Sequence, residues 1–259
     1  MGWQPSDAEY GGWGYALDLP RKAAAGKPKE FLHESNLAAT VFALAALRYA
    51  QVPANDPAYA QALTFVKRCQ NFSDDKAAAD SKFDDGGFFF IPGDDGQNKA
   101  GLAGTDRFGR PRPRSYGSMT ADGVRALLRC GLADNHPRVV AARRWLERNF
   151  SAAHNPGEFP ADRAVLQDAT YYYWVWAVSH TFLALNMDKV QTPKGPVDWP
   201  TALAEELLSR QRADGSWTNR FTDSKEDDPL ISTPWAAAAL AIGERLDKTC
   251  ATAAESNAH

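Results

Sequence analysis

Near its C-terminal end the chain reads Gln211-Arg212-Ala213-Asp214-Gly215-Ser216-Trp217, and this stretch decides the fold. It has the composition of a helix end followed by a tight turn, because Asp-Gly favours chain reversal and the glycine accepts a positive φ. Similar glycine-aromatic turns occur at Gly12-Trp13 and at Gly86-Gly87-Phe88. A turn that recurs between helical patterns indicates a repeat architecture, so we predict an all-α fold built from helix pairs.

Each repeat is predicted to contain an opening helix and a partner helix, followed by the glycine-aromatic turn. Small polar residues at Ser35-Asn36 and Ser118 mark two of the openings, and Asp56-Pro57 and His136-Pro137 mark the partners that follow. We predict a single domain over residues 1–259. Its parts are the closing turn of a missing unit (1–34), a first hairpin with a long loop (35–114), a second hairpin (115–168), a third hairpin (169–231), and a last opening helix with its tail (232–259).

The two kinds of helix differ in their apolar pattern. The opening helices are apolar all round, which predicts burial, whereas the partners carry a charged outer face. This difference favours two concentric rings, with about seven main helices in inner and outer pairs. The architecture would be a partial or open α/α toroid. A linear helical solenoid is the alternative, although its helices are usually amphipathic in both positions.

Composition excludes several function classes. The 259 residues carry a net charge of −3, so no general basic field recruits nucleic acid. No apolar run approaches the ~20 residues that cross a bilayer, so we predict no transmembrane segment. Three cysteines are too few for a disulfide framework. No cofactor motif is evident, and the cellular location stays open because the chain is expected to begin inside a repeat.

A resemblance follows from these motifs. The pattern Q-x-x-x-G-x-W at 211–217 resembles the QW repeat of squalene and oxidosqualene cyclases. The segments Ser115–Thr120, Asn155-Pro156-Gly157 and Tyr171-Tyr172-Tyr173 resemble a bacterial prenyltransferase/squalene-cyclase-repeat group. The resemblance extends from about residue 11 to residue 242. It implies the α/α toroid of terpenoid cyclases and protein prenyltransferases, with a hydrophobic, isoprenoid-type ligand.

The chain departs from these families where their chemistry begins. Class II cyclases protonate an alkene with a D-x-D-D-T-A motif, but the comparable stretch Tyr116–Ala121 contains no carboxylate. Prenyltransferase β-subunits hold zinc with Asp, Cys and His. Asp168-Ala169-Thr170-Tyr171 resembles their D-x-C-Y segment, with Thr170 in place of the thiolate, and His180 resembles the histidine ligand. We therefore predict no metal site and neither standard reaction.

Two groups of side chains are candidates for ligand binding. The aromatic run 171–176 could line an isoprenoid cavity, or it could pack between the rings of helices. Four arginines at 107, 110, 112 and 114 could clamp a diphosphate, or they could pair with nearby acidic loops. The predicted ligand-binding residues are Tyr116, Tyr171, Tyr172, Trp174, Trp176, Trp235, Arg112 and Arg114.

Candidate catalytic groups are Asp84, Asp85, Asp122, Asp227 and His180. Asp84-Asp85, with Asp94-Asp95 in the same loop, could form an acid pair or could be solvated turn residues. Asp122 could be a displaced acid or could bond first-turn N–H groups, and His180 could be an acid/base or a satisfied core histidine. Asp227 lies in the run 226–228, which could form an acidic rim at the ring mouth.

The leading hypothesis is a cyclase-like repeat protein that binds an isoprenoid or another hydrophobic small molecule. A second hypothesis is a non-catalytic scaffold that binds a protein partner at the open edge of the toroid. A third is a glycan-active enzyme, since α/α toroids also host that chemistry. Whether the chain is an enzyme stays open at this point.

Overall fold

A computed structural model describes residues 2–16, 22, 34–93, 96–221 and 224–256. Asp94 and Asp95 lie outside these ranges. The chain divides into two compact units, Met1–Leu146 and Glu147–His259. A continuous array of repeats can also divide in this way, because each repeat contacts mainly its neighbours. The predicted single domain therefore stays a prediction.

The described residues are mostly helical, which confirms the all-α class. Two short antiparallel hairpins were not predicted, and the first of them lies in the long loop before residue 114. A 3-10 turn, Ala161–Arg163, precedes the fifth helix. The α-helices are α1 (Leu37–Tyr49), α2 (Pro57–Arg68), α3 (Gly117–Arg129), α4 (Pro137–Asn149), α5 (Ala164–Asp168), α6 (Tyr171–Ala184), α7 (Trp199–Ser209) and α8 (Pro229–Ser256). The strands are β1 (Leu102–Thr105), β2 (Pro111–Pro113), β3 (Val190–Thr192) and β4 (Gly195–Val197).

Local capping signals determine where the first helices begin, as predicted. The Asn36 side chain accepts a hydrogen bond from the Ala39 N–H at 2.8 Å, and Asp56 accepts one from the Ala58 N–H at 2.8 Å. These side-chain oxygens satisfy donors that have no partner inside the helix. Gly131 follows α3 with a φ of 93°, the left-handed conformation of a helix C-cap.

The predicted start of the last helix was wrong by three residues. We expected α8 to open at Ser232, but it begins at Pro229, where Asp228 accepts a hydrogen bond from the Leu230 N–H at 2.8 Å. The Ser232 hydroxyl donates instead to the Glu226 carbonyl at 2.6 Å. An acidic cap followed by proline is the start signal that prevails here.

One hydrogen bond recurs after each glycine-aromatic turn, and we call it the threonine clasp. The backbone N–H of the aromatic residue donates to a threonine hydroxyl in the first turns of the next opening helix. The clasp joins Trp13 to Thr40 at 3.0 Å, Phe88 to Thr120 at 3.0 Å, and Trp217 to Thr233 at 3.1 Å. The predicted repetition of the turn thus has a geometric counterpart in the described residues.

The turn needs glycine for both conformation and space. Gly11, Gly86 and Gly215 have φ values of 83°, 89° and 82°, a region that side chains disfavour. At the following position, a Cβ on Gly87 would lie 2.5 Å from the Ser115 Cβ. That separation is too short for two carbon atoms, so the chain can approach the next helix only without a side chain.

Burial of the opening helices all round was predicted correctly for α3 and only in part for α6. In α3 every residue from Gly117 to Leu127 is buried, and most of α6 is buried as well. In contrast, α1 exposes Phe42 (46%), and α8 exposes Pro234 and Ala237. α1 packs against α2 and α3, and α8 packs against α6 and α7. The prediction of burial all round was wrong for α1 and α8, because apolar periodicity does not reveal which faces have a neighbour.

We expect Gly123→Ala to destabilise the protein, although alanine is the better helix former. A Cβ on Gly123 of α3 would lie 2.3 Å from the Phe88 ring, so the ring must move. Overpacking of this kind costs about 1–3 kcal/mol, which exceeds the gain of about 1 kcal/mol in helix propensity. Urea denaturation followed by circular dichroism measures the change. Gly243→Ala in α8 is the control, because its Cβ would meet Pro200 at an ordinary 3.4 Å. Equal gains in both variants would contradict this packing argument.

Thr120→Val should lower the free energy of unfolding by about 1–3 kcal/mol, because the buried Phe88 N–H loses its acceptor. Valine keeps the shape and the β-branching of threonine, so cavity formation contributes little. The matched control is Thr64→Val in α2, where the hydroxyl donates to the Ala60 carbonyl of its own helix. This control should change stability by less than about 0.5 kcal/mol. Similar losses in both variants would show that the clasp is not the cause.

Candidate functional site

The loop arginines are engaged in ion pairs and carbonyl contacts within the first unit. Arg112 of β2 contacts the Asp84 carboxylate and lies 3.6 Å from Asp106. Arg110 donates to the same Asp106 oxygen at 2.8 Å. Arg107 and Arg114 donate to the backbone carbonyls of Ala77 and Leu102. These contacts favour pairing within the loop over a diphosphate clamp. Each guanidinium already contacts a carboxylate or a carbonyl, and the four do not point together at one anion.

Asp85 holds the second glycine-aromatic turn in place. One carboxylate oxygen accepts hydrogen bonds from the Ser115 hydroxyl at 2.7 Å and the Gly87 N–H at 2.9 Å. The other accepts the indole N–H of Trp145 at 3.0 Å. The carboxylate therefore connects the turn to α4 and to the segment just before α3. This arrangement favours a structural role for Asp85 over the predicted catalytic one.

Asp122 is fully buried in α3 and pairs with Arg125 one turn later. Neither sequence alternative included this pair, since one expected a displaced acid and the other a contact with first-turn N–H groups. A neighbouring guanidinium stabilises the ionised carboxylate, whereas a proton donor must be protonated. The geometry therefore disfavours an acid role for Asp122. Asp227 is exposed, in the loop before α8.

Glu226, which the sequence analysis included in a possible acidic rim over residues 226–228, is buried at the start of α6 and does not belong to an exposed rim. Both oxygens of Glu226 accept N–H groups in the first turn of α6, from Tyr172 at 3.0 Å and Tyr173 at 2.8 Å. The side chain is fully buried. A negative charge at this helix end satisfies two donors and interacts favourably with the helix dipole. Glu226 thus positions the aromatic run of α6.

The aromatic run divides between two faces of α6. Tyr171, Tyr172 and Trp174 are at most 2% exposed, as is Tyr116 in the first unit. The Trp174 indole donates to the Ser151 carbonyl at 2.9 Å, and the Tyr172 hydroxyl donates to the Thr218 carbonyl at 3.2 Å. These side chains belong to the core, as the packing alternative expected.

The other face of α6 forms a half-buried cluster with α8, which we call the aromatic surface. It consists of Tyr173, Trp176, His180 and Trp235. The Tyr173 ring centroid lies 5.6 Å from that of Trp176 and 5.2 Å from that of Trp235. The His180 ring lies 4.9 Å from Trp176, and its Nδ1 donates to the Trp176 carbonyl at 2.8 Å.

Three members of the aromatic surface were candidate site residues, and Tyr173 was not. Their spacing of three and four residues along α6 places Tyr173, Trp176 and His180 on one helix face. That spacing could have identified Tyr173 from the sequence. The contact with Trp235 could not have been found in this way, because it depends on how α8 packs against α6.

A groove between α7 and α8 was also not predicted. It has a volume of about 290 Å³ and is open on one side. Its walls are mostly aliphatic, with two glutamates and one threonine among them. The lining residues are Pro200, Thr201, Leu203, Ala204, Glu205, Leu207, Leu208, Ala239, Leu240, Gly243 and Glu244.

Among the described residues, no three His, Cys, Asp or Glu side chains come together as a metal site. No helix in the described ranges is both long and apolar enough to span a membrane. Comparison with family models, curated proteins and solved structures finds no match to this chain. The residues and their geometry therefore carry the functional argument.

Asp106 predicts a pH dependence of stability. Burial raises the pKa of the Asp106 carboxyl. Hydrogen bonds from the backbone N–H and the guanidinium of Arg110, and from the backbone N–H of Phe108, lower it by more, so the pKa falls to about 2. The unfolded value is about 3.9. Because the folded pKa is the lower one, the ionised carboxylate stabilises the fold at pH values above about 4, and this contribution is lost as the pH falls through about 2.

Asp106→Asn should therefore be less stable than the parent at pH 7, and the difference should shrink between about pH 4 and pH 2. Urea midpoints at several pH values measure this. Asp134→Asn is the control, since Asp134 is an exposed carboxylate of the same unit. A difference for Asp106→Asn that stays constant down to pH 2 would contradict the assigned ion pairs.

Proposed function

We propose that the chain is a cyclase-like α/α-toroid repeat protein that binds an isoprenoid-type hydrophobic ligand on its aromatic surface. Three observations support the scaffold part of this proposal. The threonine clasp recurs after three glycine-aromatic turns. Opening helices alternate with partner helices along the chain, and the stretch 211–217 resembles the QW repeat. The binding part of the proposal rests on the aromatic side chains of α6.

The aromatic surface is the observation that carries the binding proposal. On a single helix, Tyr171 and Trp174 are fully buried, whereas Tyr173 and Trp176 are half-buried. The Tyr173 ring contacts both Trp176 and Trp235 of α8. Large rings left partly accessible side by side provide an apolar face that gains free energy when a ligand covers it. Their π-electrons also attract alkenes or cationic groups on such a ligand.

We propose binding without either standard reaction of the resembled families. Asp84, Asp85 and Asp122 are each engaged by arginine, serine or tryptophan side chains. Thr170, which stands where a zinc-binding thiolate would be, accepts a hydrogen bond from the Asn155 amide at 2.8 Å and is buried. These positions contribute to the stability of the fold, which favours a binding role for this scaffold.

Farnesol, a neutral isoprenoid alcohol, tests the proposal in an isothermal titration with the full chain. We expect saturable binding that Trp176→Ala and Trp235→Ala each weaken about 5- to 30-fold, since each removes one apolar ring from the contact. Farnesyl diphosphate should bind no tighter than farnesol, because the loop arginines are paired. Mass spectrometry of a lipid extract of the purified protein gives an independent readout of a retained ligand.

Tyr49→Ala is the matched control, because Tyr49 of α1 is an aromatic residue that is 92% exposed and lies in the other unit. It should leave farnesol binding unchanged. Absence of binding to the parent chain, or equal weakening by Tyr49→Ala and Trp176→Ala, would overturn the proposal. Circular dichroism of each variant separates lost binding from lost folding.

A further inference from the structure

The α7/α8 groove lies apart from the aromatic surface, on residues that the proposed function does not use. Leu203 and Leu207 of α7 and Ala239 of α8 form its buried floor, with 2%, 0% and 4% of their surface exposed. Leu208 stands beside this floor and is 58% exposed. An exposed leucine next to a buried aliphatic floor marks a surface that gains free energy when it is covered.

Small residues shape the groove. Ala204 and Ala239 leave room between the helices. Gly243 faces Pro200 across the two helices, and a Cβ at Gly243 would meet the Pro200 Cβ at an ordinary contact distance of 3.4 Å. The cavity is about 290 Å³, at the lower limit of about 300 Å³ for enclosed small-molecule pockets, and it is open on one side. A shallow open trough of this size fits a few aliphatic side chains from one face of a helix.

The charge of the groove further restricts which partners can bind there. Among the described residues that line the groove, both charged side chains are glutamates, Glu205 and Glu244, and both are exposed. Glu244 of α8 already interacts with another residue, so Glu205 of α7 is the carboxylate that selects the partner. Carboxylates at the rim of an apolar groove favour partners with lysine or arginine beside the apolar face, and they repel acidic partners.

We propose that the α7/α8 groove is a docking site for an amphipathic helix of a partner protein, with an aliphatic face flanked by lysine or arginine. Leucine-type side chains at positions i, i+3 or i+4 and i+7 of that helix enter the groove, and its basic residues approach Glu205. The proposal does not depend on the isoprenoid ligand, because α6 and Trp235 take no part in the groove.

The probe is a fluorescently labelled synthetic peptide, a lysine-rich amphipathic helix with one leucine face, titrated with the full chain and followed by anisotropy. The comparison peptide keeps the leucine face and replaces each lysine by glutamate. We expect saturable binding of the lysine peptide and at least roughly tenfold weaker binding of the glutamate peptide. Raising the salt concentration should reduce this difference, because screening weakens contacts between exposed charges.

Two variants test the groove itself. Leu208→Ser should weaken the lysine peptide roughly tenfold through lost apolar contact, and Glu205→Lys should weaken it by a similar factor through repulsion. Leu230→Ser and Asp188→Lys are the matched controls. They change an exposed leucine and an exposed aspartate of the same unit that do not line the groove. Both controls should bind like the parent chain.

Several outcomes would overturn the proposal. Equal binding of both peptides would make the groove an unspecific apolar patch, and equal weakening by Leu208→Ser and Leu230→Ser would place the peptide elsewhere. Concentration-dependent dimerisation that Leu208→Ser abolishes would make a second copy of this chain the occupant. Displacement of the bound peptide by farnesol would make the groove a lipid site. Farnesol binding that depends on Trp176 but leaves the peptide in place keeps the two sites separate.

Discussion

One hydrogen bond, the threonine clasp, joins each glycine-aromatic turn to the helix that follows it. The Phe88 N–H is buried and needs an acceptor because water cannot reach it, whereas the clasps at Trp13 and Trp217 are part-buried. A threonine near the start of the next helix supplies the acceptor, and in Thr120 the same hydroxyl donates to the Tyr116 carbonyl at 2.9 Å. At the first two turns, Gly12 and Gly87 allow the close approach because they carry no Cβ, whereas Ser216 occupies this position in the third turn. In the two repeats of the first unit, corresponding residues around the turn are separated by the same number of positions. The corresponding pairs are Ser35 and Ser115, Thr40 and Thr120, and Phe65 and Trp145.

Features encoded by neighbouring residues could be predicted from the sequence. The starts of α1 and α2 follow from Asn36 and Asp56, whose side chains cap the residues directly after them. The start of α8 was predicted wrongly, because Ser232 looks like a cap in isolation and is instead used by Glu226. The exposed faces of α1 and α8 also escaped prediction, since burial depends on neighbours that are distant along the chain. A capping residue without a competitor can be identified from the sequence. Where two candidate caps compete, only the packed structure shows which one begins the helix.

The candidate sites show the same division. Composition alone identified the aromatic run, but the packing of α6 decides that Tyr171 is core and Tyr173 is accessible. The pairing of Asp84 with Arg112 joins residues 28 positions apart across a loop that contains an unpredicted hairpin. The sequence analysis left open both a functional role for the loop arginines and pairing with acidic loops, and only the packed structure identifies Asp84 as the partner of Arg112. A charged residue is most easily mistaken for a functional one where its partner comes from another part of the chain.

Glu226 has a consequence for the order in which the chain acquires its structure. It caps α6 from a position 54 residues beyond Tyr172. During synthesis, α6 therefore leaves the ribosome well before the carboxylate that satisfies its first N–H groups has been made. Its early form lacks both this cap and the packing partner α8, although the Ser151 carbonyl that Trp174 contacts has already been made. The most aromatic helix of the protein is thus completed late, when the loop before α8 arrives.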